Sequence, residues 1–185
     1  MTESIVKDAE TRMEKAVSAM KRELASVRAG RATPAMLDKV MVSYYGSPMP
    51  VNQVASVTSP EPRLLIISPW EKTMLAEIEK AIQKSDLGLN PSNDGSVIRI
   101  AVPALTEQRR QELAKQVKKI AEEGRVAVRN VRRDANDELK KSEKSGEVSE
   151  DEIRRLMDQV QQRTDKAIAE IDHALSAKEQ ELLEV

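Results

Sequence analysis

Apolar residues recur at steps of three and four in three separate stretches of this 185-residue chain: Val6, Ala9, Met13, Val17, Met20, Leu24, Val27; Val117, Ala121, Gly124, Val128, Val131, Ala135; and Ile153, Leu156, Val160, Thr164, Ala167, Ile171, Leu175. That spacing keeps returning to one side of a helix, so each stretch predicts an amphipathic helix with a narrow apolar stripe. Three such stripes are buried together in a three-helix bundle. The stops agree with this reading. Gly30 suits a C-terminal cap for the first helix, and Pro34 prevents its continuation. Thr106 reads as an N-cap, with Glu107 in the first turn of a helix running to about Lys144, where Gly146 turns the chain back antiparallel. Ser149 and Glu152 form a capping-box pattern for the third helix. At about 1.5 Å per residue, a helix over 107–143 spans roughly 55 Å, so the bundle is expected to be elongated.

Between the helices the period changes. Residues 39–45, 51–58, 63–68 and 96–102 are rich in β-branched side chains, are bounded by Gly, Pro, Asn and Asp, and predict strands. Ser68-Pro69-Trp70-Glu71 reads as a capping box opening a short helix through Met74, Leu75, Ile78 and Ile82. Ser85 to Pro91 and Asn93-Asp94-Gly95 read as loops. Tyr44 and Tyr45 end a strand, one expected in the core and the other as a surface contact. The expected class is therefore α+β: residues 1–29 and 106–185 form the bundle, and 30–105 an inserted β/α/β domain. Arg28, Ala29, Gly30 and Arg31 lead out to the insert; Val102, Pro103, Ala104 and Leu105 lead back. Their small residues suit a hinge, and equally a rigid turn.

Composition removes several function classes. There is no cysteine, hence no disulfide or thiol chemistry, and the single histidine, His173, lies in an acidic segment that places it at the surface. No phosphate-binding loop, dinucleotide fingerprint, HExxH or Cys/His cluster is present, so no enzyme activity, cofactor or metal is expected. Residues 1–30 hold no continuous apolar run, which argues against a signal peptide or membrane span and for a cytoplasmic protein.

The net charge of −1 conceals a strong asymmetry. Residues 106–145 carry twelve Lys and Arg against eight Asp and Glu, whereas residues 149–185 carry five against ten. Within the basic segment, Arg125, Arg129, Arg132 and Arg133 share one helix flank beside the apolar arc, with Lys115, Lys118 and Lys140 extending it, and acids read as scarce there. The planar guanidinium fork matches phosphate, and neutralising phosphates dominates affinity for nucleic acid. Two readings stand: an RNA or DNA backbone partner, or a solvated face that pairs basic with acidic helices inside the bundle, as in a coiled-coil scaffold.

Five motifs decide the family likeness: RAGRATP at 28–34, YYGSPMPVNQVASV at 44–57, EKAIQKSDLGLNPSNDGSVIRI at 79–100, VPALTEQRR at 102–110 and RVAVRNVRRDAND at 125–137. In this order they resemble the ribosome recycling factor family along essentially the whole chain. The resemblance implies an L-shaped molecule, similar in outline to transfer RNA, in which the inserted domain is hinged on the bundle. It implies a monomer that binds the post-termination ribosome and, with elongation factor G and GTP, splits it into subunits. It implies contacts to large-subunit ribosomal RNA at Arg110, Arg129 and Arg132, to which the helical stripe adds Arg125 and Arg133. Arg110 lies near the apolar arc, so its role rests on the resemblance. Arg28 and Arg31 either contact RNA or cap the first helix.

Overall fold

The computed structural model describes residues 2–28 and 30–184. Its helices are α1 (Thr2–Ser26), α2 (Leu75–Lys84), α3 (Glu107–Lys144) and α4 (Glu150–Leu183). Its strands are β1 (Met41–Tyr44), β2 (Ser47–Pro50), β3 (Ala55–Glu61), β4 (Leu64–Pro69), β5 (Pro91–Asn93) and β6 (Ile98–Ala101). Two compact units result: the chain up to Arg28 packs with Glu107–Glu184, and the intervening stretch through Thr106 forms the second.

The first unit is the bundle of α1, α3 and α4, and every apolar-stripe residue named above is buried in it. Each large side chain so removed from water contributes roughly 1.5–3 kcal/mol, which is what holds long charged helices together. The 38 residues of α3 make it about 57 Å long at the usual helical rise. Thr164, 1% exposed, is tolerated in the core because its hydroxyl donates to the Val160 carbonyl at 2.9 Å. Gly124 marks a close crossing. A Cβ built there would lie 2.8 Å from Met20 Cγ, 3.2 Å from Met20 Cβ and 3.4 Å from Ile171 Cδ1, so all three helices converge on a missing side chain.

The helix ends are closed by local hydrogen bonds. α1 stops at Ser26, whose hydroxyl donates to the Glu23 carbonyl at 2.6 Å, while the Val27 amide donates to Leu24 at 3.1 Å. Gly30, with φ +74°, comes four residues after that end and therefore does not cap α1, contrary to the sequence expectation. After α3 the Glu147 amide donates to Ser142 at 3.2 Å and the Gly146 amide to Glu143 at 3.0 Å, the two bonds of a Schellman motif around Gly146 at φ +78°. Ser149 caps α4, its hydroxyl accepting from the Glu152 amide at 3.2 Å. The reciprocal half of the expected box is replaced, since Arg155 one turn on draws the Glu152 carboxylate to itself.

The second unit holds a two-stranded sheet, β1-β2, and a four-stranded antiparallel sheet in the order β3-β4-β6-β5. Leu65 and Ile67 pair with Ile100 and Ile98, and all four are fully buried in one core with Ile78 and Ile82 of α2. The strand expectations need four corrections. Residues 51–53 form a 3-10 turn instead of a strand start. Ser47–Pro50 is a strand despite two prolines, because a two-stranded edge ribbon leaves room for residues without an N–H. Pro91–Asn93, read as loop, adds a short edge strand to β6. Finally, Ser68 and Pro69 do not open a helix: they complete β4, paired with Ser56 and Ala55, and α2 begins only after a 3-10 turn at Lys72–Met74. The ladder's hydrogen bonds outweigh the local capping preference of Ser-Pro.

Tyr45 and Gly46 form the two-residue loop between β1 and β2, with φ +48° and +85°, the signs a type I′ hairpin requires. Both tyrosine hydroxyls donate to one carboxylate, Tyr44 to Glu71 Oε1 at 2.9 Å and Tyr45 to Oε2 at 2.8 Å, with the rings edge to face at 4.6 Å. Tyr44 is half-buried against the core and Tyr45 is 78% exposed, so the pair divides as expected between core and surface. The hydrogen bond to Glu71 raises both phenols above their ordinary pKa of 10.0, because ionisation would abolish the donor beside a carboxylate. A raised folded pKa means that this stabilisation is complete below about pH 10 and is lost as pH rises through the folded values. Since these are the only two tyrosines, ultraviolet titration of native protein should give midpoints above those in urea. Glu71→Gln should bring them down; coincident native and denatured curves would contradict the contact.

Candidate nucleic-acid interface

The basic flank is built by α3 alone. At about 100° per residue, Arg125, Arg129, Arg132, Arg133, Asn136 and Lys140 fall within an arc of about 100° beside the buried arc. Arg129, Arg132, Arg133, Asn136, Asp137 and Lys140 line a shallow concavity on the bundle surface. The five expected contact residues differ sharply in their surroundings.

Arg125 is turned inward. Its side chain is only 20% exposed, and it donates from Nε to Asp172 Oδ1 at 2.9 Å, with Nη2 2.7 Å from the same oxygen and Nη1 3.0 Å from Glu122 Oε2. Asp172, then Glu122, hold this guanidinium above its ordinary pKa despite some desolvation. Arg125 thus ties α3 to α4, as the helix-pairing reading anticipates. Arg12 of α1 pairs with Asp134 at 3.1 Å in the same manner. Arg129 is exposed and donates to Glu122 Oε1 at 3.2 Å. Glu122 therefore bridges two arginines, whose hydrogen bonds, that of Arg125 first, hold its carboxyl below the usual range.

Arg132 is half-buried. Its Nη1 donates to Gln161 Oε1 of α4 at 3.3 Å, and Gln161 in turn donates from Nε2 to Asp165 at 2.8 Å, which fixes the amide's orientation. The Nε of Arg132 and the Oδ1 of Asn136, one turn on, are buried without hydrogen-bond partners. Arg133 is exposed and bonds Asn130 on its own helix. Arg110 is half-buried in the opening turns of α3, in keeping with its position near the apolar arc.

The expectation that acids are scarce on this flank is overturned by Glu122. The same rotation that gathers the arginines puts Glu122 between Arg129 and Arg133, so the signal was present in the helical period. Gln161, Asp165 and Asp172 were not legible, because they come from another helix whose rotation about α3 is set by packing.

Among the expected hinge residues, Ala29 lies outside those described. Arg28 and Arg31 are exposed, and Arg28 stands two residues beyond the end of α1. Gly30 is half-buried; a Cβ there would meet Leu105 Cγ at 2.8 Å, so this position requires glycine on both steric and backbone grounds. Val102 belongs to the core of the second unit, its amide donating to Arg63 at 2.8 Å, just as the amide of buried Ala32 donates to Pro62 at 2.7 Å. Pro103 and Ala104 are exposed and Leu105 is half-buried. His173 is exposed, no group of three or more His, Cys, Asp or Glu among the described residues is placed to hold a metal ion, and no described helix is long and apolar enough to cross a membrane.

The fold and this flank define an α+β protein in which a three-helix bundle with a basic face carries an inserted sheet unit. The family model described as ribosome recycling factor matches residues 20–183. Full-length relatives named ribosome-recycling factor, from Shouchella clausii and Bacillus cytotoxicus, are 61% and 60% identical over 185 residues, covering all of both chains. The chain belongs to the ribosome recycling factor family. A solution structure of a ribosome recycling factor matches with a TM-score of 0.74 at 43% identity, covering 100% of this chain and 98% of that one. A second structure, of the Thermus thermophilus factor described with Escherichia coli elongation factor G bound to the post-termination complex, matches with a TM-score of 0.63 at 46% identity over 99% of both.

Proposed function

We propose that this protein binds the ribosome after termination and, together with elongation factor G and GTP, separates it into subunits. The observation that carries this reading is the full-length likeness, at 46% identity, to a recycling factor described with elongation factor G on a post-termination complex. The bundle is the anchor. Arg129, Arg132 and Arg133, with Arg110 nearer the start of α3, engage large-subunit ribosomal RNA by exchanging neutral or carboxylate partners for phosphate oxygens, a charge-assisted contact that the fork geometry favours. Arg125 serves the bundle itself through Asp172. The protein acts as a monomer in the cytoplasm, requires no cofactor and catalyses no reaction; GTP hydrolysis belongs to the partner factor.

The second unit receives the push. Displacement about the segments 28–31 and 103–105 transmits it, while Val102 moves with the insert whose core it shares. Two experiments test this. In sucrose gradients, post-termination ribosomes should convert to subunits only when this protein, elongation factor G and GTP are all present; conversion without one of them would sink the proposal. A covalent cross-link joining the two units should leave ribosome binding within about twofold and abolish conversion, whereas undiminished conversion would remove the hinge from the mechanism.

A further inference from the structure

We infer that Glu122 is an internal rival of the phosphate backbone for Arg129, and that it lowers the affinity of the arginine face for any phosphate that must take Arg129 from it. The inference rests on the rRNA-binding reading above. Its basis is a neutral quartet of two guanidinium groups and two carboxylates. Glu122 Oε1 accepts from Arg129 at 3.2 Å while Oε2 accepts from Arg125 at 3.0 Å. Arg125 is in turn clamped by Asp172 through Nε at 2.9 Å and Nη2 at 2.7 Å. Glu122 is thus held at its post, and Arg129, an exposed cation lining the concavity, has its charge partly spent.

An incoming phosphate must displace a carboxylate whose local concentration is high because it sits on the same helix. That exchange falls equally on a flexible single strand and on a folded RNA that takes Arg129. A phosphate fixed in a folded RNA that also reaches Arg132 and Arg133 gains the further contacts in the same docking event. Because Asp172 secures Arg125 independently, neutralising Glu122 frees Arg129 without releasing α3 from α4.

The test measures affinity for poly(U) and for isolated large ribosomal subunits against salt concentration, using wild type, Glu122→Gln, Arg129→Ala and the double variant, with Glu123→Gln as a charge-matched control on another helix face. Glu122→Gln is expected to bind poly(U) about fivefold more tightly, with a salt dependence steeper by about 0.7, to bind subunits more tightly by a similar factor, and to have no effect in the Arg129→Ala background. Glu123→Gln should leave poly(U) binding as in wild type. An equal gain from Glu123→Gln, or a gain that persists without Arg129, overturns the inference, as does unchanged poly(U) binding by Glu122→Gln. If Arg129→Ala weakens subunit binding while Glu122→Gln does nothing, the inference alone falls; if Arg129→Ala binds subunits like wild type, the arginine contact falls with it.

Discussion

Gly124→Leu should unfold or nearly unfold the bundle, lowering stability by about 3 kcal/mol or more, and Gly124→Ala should lower it by about 1 kcal/mol. The sign of the alanine result is the informative part. In an open helix, exchanging glycine for alanine gains roughly 1 kcal/mol of helix propensity. Here the added Cβ would stand 2.8 Å from Met20 Cγ and 3.2 Å from Met20 Cβ, and Met20 is itself 3% exposed, so it has no solvent to move into. Overpacking of this kind typically costs about 1–3 kcal/mol, which exceeds the propensity gain. Leucine adds three further carbons against Ile171 with no further propensity benefit. Urea unfolding of the two variants measures both effects. An alanine variant more stable than wild type would show that the helices can spread at this crossing and that the glycine is not required by packing.

Arg132→Ala should weaken binding to large ribosomal subunits by about tenfold to a hundredfold, equivalent to one charge-assisted hydrogen bond of roughly 1.5–3 kcal/mol. The salt dependence should flatten by about 0.7–0.9, one phosphate fewer. Stability should change by less than about 1 kcal/mol, since this half-exposed side chain is tethered to α4 by a single neutral bond, 3.3 Å to Gln161. Arg125→Ala should behave in the opposite way. It removes the α3 to α4 tie through Asp172, along with the bridge to Glu122 within α3, and so lowers the midpoint of unfolding more than it lowers ribosome affinity. If the two variants lost affinity equally at unchanged stability, the division between a structural and a binding arginine would be wrong.

How much of this was legible in the sequence depends on the range of the forces involved. The three helices and the buried face of each followed from period alone, because a long stripe from Val6 to Leu24 or Ile153 to Leu175 leaves one way to hide apolar surface. Gly146 and Ser149 were readable because their bonds reach only a few residues. The second unit was less transparent. Pro48, Pro50 and Pro91 signal breaks locally, yet they occupy strands, the first two in the hairpin with β1 and the third on the edge beside β6. Ser68 and Pro69 gave a convincing helix start that pairing with Ser56 and Ala55 overrides. In the candidate site, the arginine flank was visible as a helical periodicity, and so was Glu122 within it. What separates inward Arg125 from outward Arg129 is Asp172, 47 residues beyond Arg125, and no spacing rule announces that contact.

The most direct test of the central claim is stopped-flow light scattering of post-termination ribosomes mixed with elongation factor G, GTP and either wild-type protein or Arg132→Ala. Wild type should give a fall in scattering, and the variant should give none at the same concentration while unfolding at the same temperature. A full fall with Arg132→Ala, or no fall with wild type and its matched factor, would contradict subunit separation through the arginine face of the bundle.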